Sequence, residues 1–197
     1  MSELFKEAIE TFQTLLGEAR ESGEIEPTAM TVSTATSDGR PSSRTVLLKK
    51  ADERGFVFFS NYESHKGAEL ADNPQAALLL LWKQVRNIVQ VRIEGRVEQV
   101  EEAESDNYFC TRPRMSQLGA WASLQSQTLE SREDFETRLA DYEREFSGGE
   151  VPRPPHWGGY RVVPVRIEFW YGAEFRLHER QCYECVDGTW QKRMLYP

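Results

Sequence analysis

Cysteine is scarce in this chain of 197 residues, occurring only at Cys110, Cys182 and Cys185. An odd number of thiols this small does not build the disulfide framework of a secreted domain. Long apolar runs are missing as well. The longest, Ala76 to Trp82, is far too short to cross a bilayer as a helix. Positive charge is in deficit: the formal net charge is −8, and no basic face or arm stands out to neutralise nucleic-acid phosphates. The opening MSELFKEAIE is charged from its third residue, unlike a signal peptide. There is no P-loop, no GxGxxG, no Ser-His-Asp order and no internal repeat. These absences lead to the expectation of a cytoplasmic protein with no nucleic-acid or membrane partner. A hydrophobic content of 39% and a charged content of 28% are ordinary for a soluble globular chain. The length suits a single domain over residues 1–197 with one sizeable core.

What is present is organised around Arg44 to Leu70. Thr45-Val46-Leu47-Leu48 and Phe56-Val57-Phe58-Phe59 are strand-like runs joined by the turn residues Ala51 to Gly55. Ser64 can cap a helix that stops before Asn73-Pro74. Upstream, Leu4, Phe5, Ala8, Ile9, Phe12, Leu15 and Leu16 predict an amphipathic helix over about 3–20. Ala29–Ala35 reads as a strand turning back through Ser37 to Arg40. The continuous run Ala76 to Trp82 predicts a strand buried on both faces. Ile88 to Val100 alternates, with Gly95 at a bulge or bend. A helical insertion is expected over about 101–146, interrupted at Arg112-Pro113. Strands follow over 160–197, closing in a hairpin at Asp187-Gly188. The result is an α+β chain, mainly β, whose antiparallel strands would close into a barrel to hide their edges.

Cations mark the candidate site. Arg44 and Lys49 bracket one strand, and His65 and Lys66 open a helix whose free N–H groups favour an anion. The plain alternative is a solvated surface. Five positions separate Arg44 from Lys49, so a regular strand would send them to opposite faces. Tyr108, Arg112 and Ser116 recur every four residues and could line one helical face suited to a phosphate monoester, or make a routine Tyr–Arg contact. Arg176, His178 and Arg180 would share one strand face. They would need an anion among them, unless Glu174, Glu179 and Glu184 neutralise them. His178, Cys182 and Cys185 are metal-ligand types, but strand parity separates the two thiols, so no metal is expected.

Four stretches together carry a resemblance. RTVLLK (Arg44 to Lys49), Ser64-His65-Lys66, YFCTRPRMSQLGAWASLQS (Tyr108 to Ser126) and WGGYRVVPVRIEFWYGAEFRLHER (Trp157 to Arg180) closely resemble the pyridoxine/pyridoxamine 5′-phosphate oxidases. The likeness runs in order over nearly the whole chain. It implies an antiparallel split β-barrel that binds FMN at the interface of a homodimer. The flavin would then be held by Arg44, Thr45, Val46, Leu47, Leu48 and Lys49, by Phe59, Ser60, His65 and Lys66, and by Gln90, Gln125, Ser126, Trp170 and Arg180. The substrate phosphate would meet Lys49, Tyr108, Arg112 and Ser116, with Arg176, Leu177 and His178 over the reacting ring and Arg176 and His178 in the catalytic role. The implied reaction moves a hydride from the 4′ carbon of pyridoxine or pyridoxamine 5′-phosphate to FMN. Oxygen then reoxidises the flavin, giving pyridoxal 5′-phosphate and hydrogen peroxide, with ammonia from the amine. The nearest alternatives are a phenazine-type oxidase of the same fold and a non-catalytic flavin or pyridoxal-phosphate binder. His65 and Val89 stand where the family usually has Arg, and the chain opens at its first helix without the family's usual N-terminal extension. Weaker FMN retention at alkaline pH is expected from His65.

Overall fold

Seven side chains at helical spacing, Phe5, Ala8, Ile9, Phe12, Leu15, Leu16 and Ala19, form the buried face of α1 (Glu3–Glu21). The structure, a computed structural model, describes residues 2–197. Phe12 anchors α1 to the sheet, meeting Phe56 edge-on at 4.9 Å and Trp82 at 5.9 Å between ring centroids. Next come β1 (Ala29–Ala35) and β2 (Pro41–Leu47), then β3 (Lys50–Asp52) and β4 (Gly55–Asn61), two antiparallel hairpins. Helix α2 (His65–Asp72) starts where Ser64 accepts the Gly67 N–H at 3.3 Å. Gly67 is required there, because a Cβ would lie 1.9 Å from the Tyr62 carbonyl oxygen.

Strands β5 (Gln75–Trp82) and β6 (Val89–Gln99) precede three helices, α3 (Glu102–Cys110), α4 (Arg114–Ala122) and α5 (Arg132–Glu145). The long β7 (Trp157–Tyr171) follows, then the hairpin of β8 (Glu179–Val186) and β9 (Thr189–Met194). Asp187 and Gly188 turn that hairpin with positive φ angles of 49° and 78°.

All nine strands among the described residues belong to one antiparallel sheet, ordered β2-β1-β5-β6-β7-β4-β3, with β8 and β9 continuing from β7. One edge of β7 serves two partners: residues 157–162 pair with β4, and residues 166–171 pair with β8. That fork splits the barrel. The register slips between Glu94 and Gly95 opposite Pro164, so the expected irregularity at Gly95 is present. The link after β2 closes the barrel, Leu48 N donating to Thr28 O and Lys49 N to Val57 O, both at 2.8 Å. The fold is an antiparallel split β-barrel with flanking helices.

Two expectations change. β5 is buried on one face only: Ala76, Leu78, Leu80 and Trp82 enter the core, while Ala77, Leu79 and Leu81 face outward and Leu81 is 41% exposed. Its apolar outer face, with Leu79 half-buried, is left largely uncovered by the described residues. The helical pair at Arg112-Pro113 is broken, α3 ending at Cys110 and α4 starting after Pro113, so Tyr108, Arg112 and Ser116 do not share one continuous helix. A second apolar cluster of Phe109, Leu118, Ala120, Val151 and Trp157, joined by Leu139 and Tyr142 of α5 and by Phe146 just after it, fixes α3 and α4 against the end of the barrel.

Candidate active site

A cavity of about 870 Å³ opens between β2, β4, the start of α2 and the α3–α4 junction. Its basic side chains are Arg44, Lys49, His65, Lys66 and Arg112, and no carboxylate lines it among the described residues. In a chain with eight excess negative charges, that exclusion of acids gives the cavity a lining suited to an anion.

One cationic group centres on the first turn of α2. Lys66 is 6% exposed, and its Nζ donates to Ser60 Oγ at 2.8 Å, Ser64 Oγ at 2.9 Å and Gln125 Oε1 at 3.1 Å. None of those acceptors carries charge. Burial, with Arg44 nearby, pushes the ammonium down to about 8 from its usual 10.5. Arg44 reaches across β1 and β2, donating to Val32 O at 3.3 Å, to Thr34 Oγ1 and to Ser42 Oγ. Behind it lies Glu69, 5% exposed, which accepts from Thr34 and Ser42 and lies 3.4 Å from Arg44 and 3.0 Å from His65 Nε2. Burial opposes ionisation of Glu69, but the Ser42 and Thr34 hydroxyls, with His65 and Arg44, bring its carboxyl down to about 2. Glu69 therefore stays ionised and fixes Arg44 and the His65 ring. The i,i+4 spacing of His65 and Glu69 on α2 was the available signal for this partner.

The second group sits at the α3–α4 junction. Tyr108 stacks on Phe59 at 4.1 Å, and Lys49 Nζ lies 5.9 Å from the Tyr108 ring centroid. The Arg112 guanidinium stands 4.6 Å from the centroid of Trp157, its Nη1 buried without a hydrogen-bond partner. Burial lowers the Arg112 pKa. A buried, unpaired guanidinium N–H costs free energy, and other atoms of the same Arg112 side chain border the cavity. Ser116, at the start of α4, completes the group. The helix break brings the three side chains together by a sharp turn in place of a shared face.

Strand parity also fails to separate Arg44 from Lys49. β2 ends at Leu47, so Lys49 lies beyond the regular strand, and both residues border the cavity with Thr45, Val46 and Leu47. Phe59, Ser60, Gln125 and Ser126 border it too. Leu48 does not: its side chain is 3% exposed and belongs to the core. Asn61 and Trp157 are lining residues that sequence reasoning missed. Asn61 holds the wall by donating to Ser123 O at 3.4 Å.

The remaining expected residues form a separate group. Gln90, Trp170 and Arg180 stand in one row across β6, β7 and β8, and none of them lines the cavity. Arg176, Leu177 and His178 fall in the connection between β7 and β8, also outside it. The expected strand through Arg176 is a short 3-10 turn over Glu174–Arg176, with Phe175 and Arg176 at φ of 55° and 63°. His178 packs on Trp170 at 4.4 Å, and its Nδ1 accepts the Ala173 N–H at 3.1 Å. Neutralisation of Arg180 comes from none of the three expected glutamates but from Glu168, two residues before Trp170 on β7. Strand alternation could have shown that Glu168 and Trp170 share a face.

Residues 16–144 match the family described as pyridoxamine 5′-phosphate oxidase, and residues 157–197 match the pyridoxine 5′-phosphate oxidase C-terminal dimerisation region. The chain is 61% identical over 199 residues to a pyridoxine/pyridoxamine 5′-phosphate oxidase of Xanthomonas campestris pv. campestris, covering 100% of both. It is 53% identical over 189 residues to the enzyme of that name in Myxococcus xanthus, covering 96% of this chain and 91% of the relative. Among solved structures, PhzG from Burkholderia lata, in complex with tetrahydrophenazine-1-carboxylic acid, superposes with a TM-score of 0.90 at 33% identity, over 100% of this chain and 98% of PhzG. A pyridoxamine 5′-phosphate oxidase-related, FMN-binding protein from Nostoc punctiforme shares the fold, with a TM-score of 0.72 at 16% identity over 95% and 96% of the two chains.

Proposed function

The chain belongs to the pyridoxine/pyridoxamine 5′-phosphate oxidase family, an FMN-dependent oxidoreductase family, and on that premise we propose that it oxidises pyridoxine or pyridoxamine 5′-phosphate to pyridoxal 5′-phosphate. The observation that carries the reading is the carboxylate-free cavity with two separate cationic groups, one containing Arg112. FMN and the substrate each carry a phosphate, and two such groups suit two such ligands.

The residues present fit FMN. Lys66, Arg44 and His65 would hold its phosphate, with the N–H groups at the start of α2 adding their dipole. Lys49, Tyr108, Arg112 and Ser116 would hold the substrate phosphate, with the Arg112 guanidinium supplying the charged contact. When bound, FMN would supply the redox chemistry, as acceptor of a hydride from the substrate's 4′ carbon and donor of two electrons to oxygen. The alcohol loses its hydroxyl proton as the hydride leaves. The amine gives an imine that water cleaves to aldehyde and ammonia. Arg176 and His178 would orient the ring and carry the proton at its substituent.

Those two residues lie outside the cavity of their own chain, as does the row of Gln90, Trp170 and Arg180. We therefore read the working unit as a homodimer in which a second copy brings this row and the β7–β8 connection to the cavity. The matched dimerisation region contains most of these residues, and the largely uncovered face of Ala77, Leu79 and Leu81 adjoins the Gln90 strand. No helix among the described residues is long and apolar enough to cross a membrane. A place in vitamin B6 salvage in the cytoplasm belongs to the same proposal and rests on the family.

The test is anaerobic mixing of the FMN-loaded protein with pyridoxine 5′-phosphate, followed by admission of air. Loss of the oxidised-flavin absorbance, then its recovery with peroxide and pyridoxal 5′-phosphate, is expected. PhzG, at 33% identity, is the observation that favours a second reading, oxidation of a phenazine-type ring. Bound flavin that bleaches with neither the alcohol nor the amine would move the function there or to a binding-only role.

A further inference from the structure

We infer that Glu168 is a positioning residue that holds Arg180 in place for the flavin. The inference rests on Arg180 being a flavin ligand, which is part of the proposed function.

Glu168 is 1% exposed, yet it lies on the outer face of the sheet, where β7 presents Arg166, Glu168 and Trp170 in succession. Three arginines surround it. Arg180 Nε donates to Oε1 at 2.9 Å, with Nη2 2.8 Å from the same oxygen. Arg166 Nη2 donates to Oε2 at 3.1 Å, and Arg92 Nη1 lies 3.5 Å from it. A carboxylate this buried is retained only where its partners satisfy it.

The three partners differ in what else holds them. Arg92 also pairs with Glu94 at 3.0 Å, and Arg166 also faces Glu184 at 4.0 Å. Arg180 has no other carboxylate; its remaining contact is Nη1 donating to the Tyr196 carbonyl at 2.9 Å. Removal of the Glu168 charge therefore leaves Arg92 paired with Glu94 and Arg166 with the longer approach of Glu184, while Arg180 keeps no carboxylate among the described residues. Of the five N–H groups of a guanidinium, the Nε and Nη2 contacts with Glu168 and the Nη1 contact with Tyr196 engage three, which leaves one on each terminal nitrogen for a ligand. Arg180 also stands directly across from Trp170, itself opposite Gln90, so an error in its orientation falls on the row that serves the cofactor. Locking a ligating side chain from behind is how such a site is kept preorganised.

The test is a double-mutant cycle on FMN affinity, titrating FMN into apoprotein and following the quenching of its fluorescence. The variants are Glu168→Gln, Arg180→Met and the double. Glu168→Gln should raise the FMN Kd about tenfold when Arg180 is present and less than about twofold in Arg180→Met, the coupling expected of two groups in contact. Additive effects would overturn the inference, assigning Glu168 a general structural role. An Arg180→Met protein that binds FMN as tightly as its parent would instead overturn the underlying ligand reading, and the inference with it. Sedimentation velocity on each variant separates a third outcome: a Glu168→Gln chain that dissociates while Arg180→Met stays dimeric would assign Glu168 to the interface and overturn positioning. Should Glu168→Gln fail to fold, the cycle runs with Glu168→Asp, which keeps the charge but withdraws it. The same non-additivity is expected, at smaller amplitude.

Discussion

Replacing Lys66 with Met should stabilise the apoprotein while weakening FMN binding, and both magnitudes follow from its surroundings. The ammonium is buried against two hydroxyls and an amide oxygen, and its pKa is pushed from 10.5 to about 8. At about 1.4 kcal/mol per pKa unit, a shift of that size means the native apoprotein carries about 3 kcal/mol of strain from this charge near neutral pH. Methionine keeps the aliphatic stem and removes the charge. Some of the gain is lost because Ser60, Ser64 and Gln125 lose a donor. Ser64 still donates to Asn61 O at 2.7 Å and Ser60 to Gln125 Oε1 at 3.3 Å, so that loss is about 1–2 kcal/mol. The net expectation is about 1–2 kcal/mol more stability for apo Lys66→Met in urea unfolding at fixed protomer concentration. The pH dependence is a sharper discriminator. Between about pH 8 and 10.5 the unfolded chain holds the Lys66 proton and the native apoprotein does not. Stability of the parent should therefore rise with pH through that window relative to the variant, and run parallel to it below. FMN binding moves the other way: the loss of a charged donor to its phosphate should raise Kd about 10–100-fold. Parent affinity should fall above about pH 8, where the free protein gives up the proton. An apo variant less stable than its parent, or two stability curves that stay parallel across the window, would refute the argument.

Arg112→Ala should raise KM for the phosphorylated substrate about 100-fold, the worth of a buried charged contact, and leave oxidation of unphosphorylated pyridoxine unchanged. Steady-state kinetics on both substrates tests this, and an equal loss on both would refute a phosphate role. His65→Arg should tighten FMN several-fold at alkaline pH, since a guanidinium stays charged where imidazole does not, with Glu69 still 3.0 Å from the original ring nitrogen to orient it. Fluorescence titration across pH reads the change, and identical affinities would sink it. Gly67→Ala should destabilise by about 2–3 kcal/mol or prevent folding, because the new Cβ would lie 1.9 Å from a backbone oxygen. Gly17→Ala, in α1 with nothing within 4 Å, should instead stabilise by about 0.5–1 kcal/mol. Thermal unfolding of the pair compares them, and equal melting temperatures would contradict the steric argument.

Local chemistry was legible wherever one element decides it. The apolar spacing of residues 4–16 announces α1, and the strand over Ala29–Ala35 begins and ends where expected. Ser64 caps α2 as its residue type predicts, and the irregularity sits at Gly95. The cations of the site were equally plain, because Arg and Lys at a strand end and a helix start are identifiable without tertiary information. Parity arguments served less well. They assumed that a strand continues past Leu47 and through Arg176, whereas β2 stops to close the barrel and the β7–β8 connection adopts left-handed backbone. The double burial of β5 failed for a related reason: its outer face is apolar, but the described residues leave it largely uncovered.

By itself the sequence determined the periodicities, the caps, the cation content of each segment and, through four ordered stretches, the family. Each of these is a property of residues near one another in the chain. The tertiary structure alone decided which segments share a wall. It excluded every carboxylate from the cavity while placing Glu69 behind Arg44 and His65, left Arg112 Nη1 without a partner, and paired Glu168 with three arginines from three strands. It also divided the expected site residues into a cavity group and a separate row on β6, β7 and β8. The physical reason is range. Side-chain period reports which residues share a face of their own element, but which element comes next is set by strand pairing and barrel closure between residues far apart in sequence.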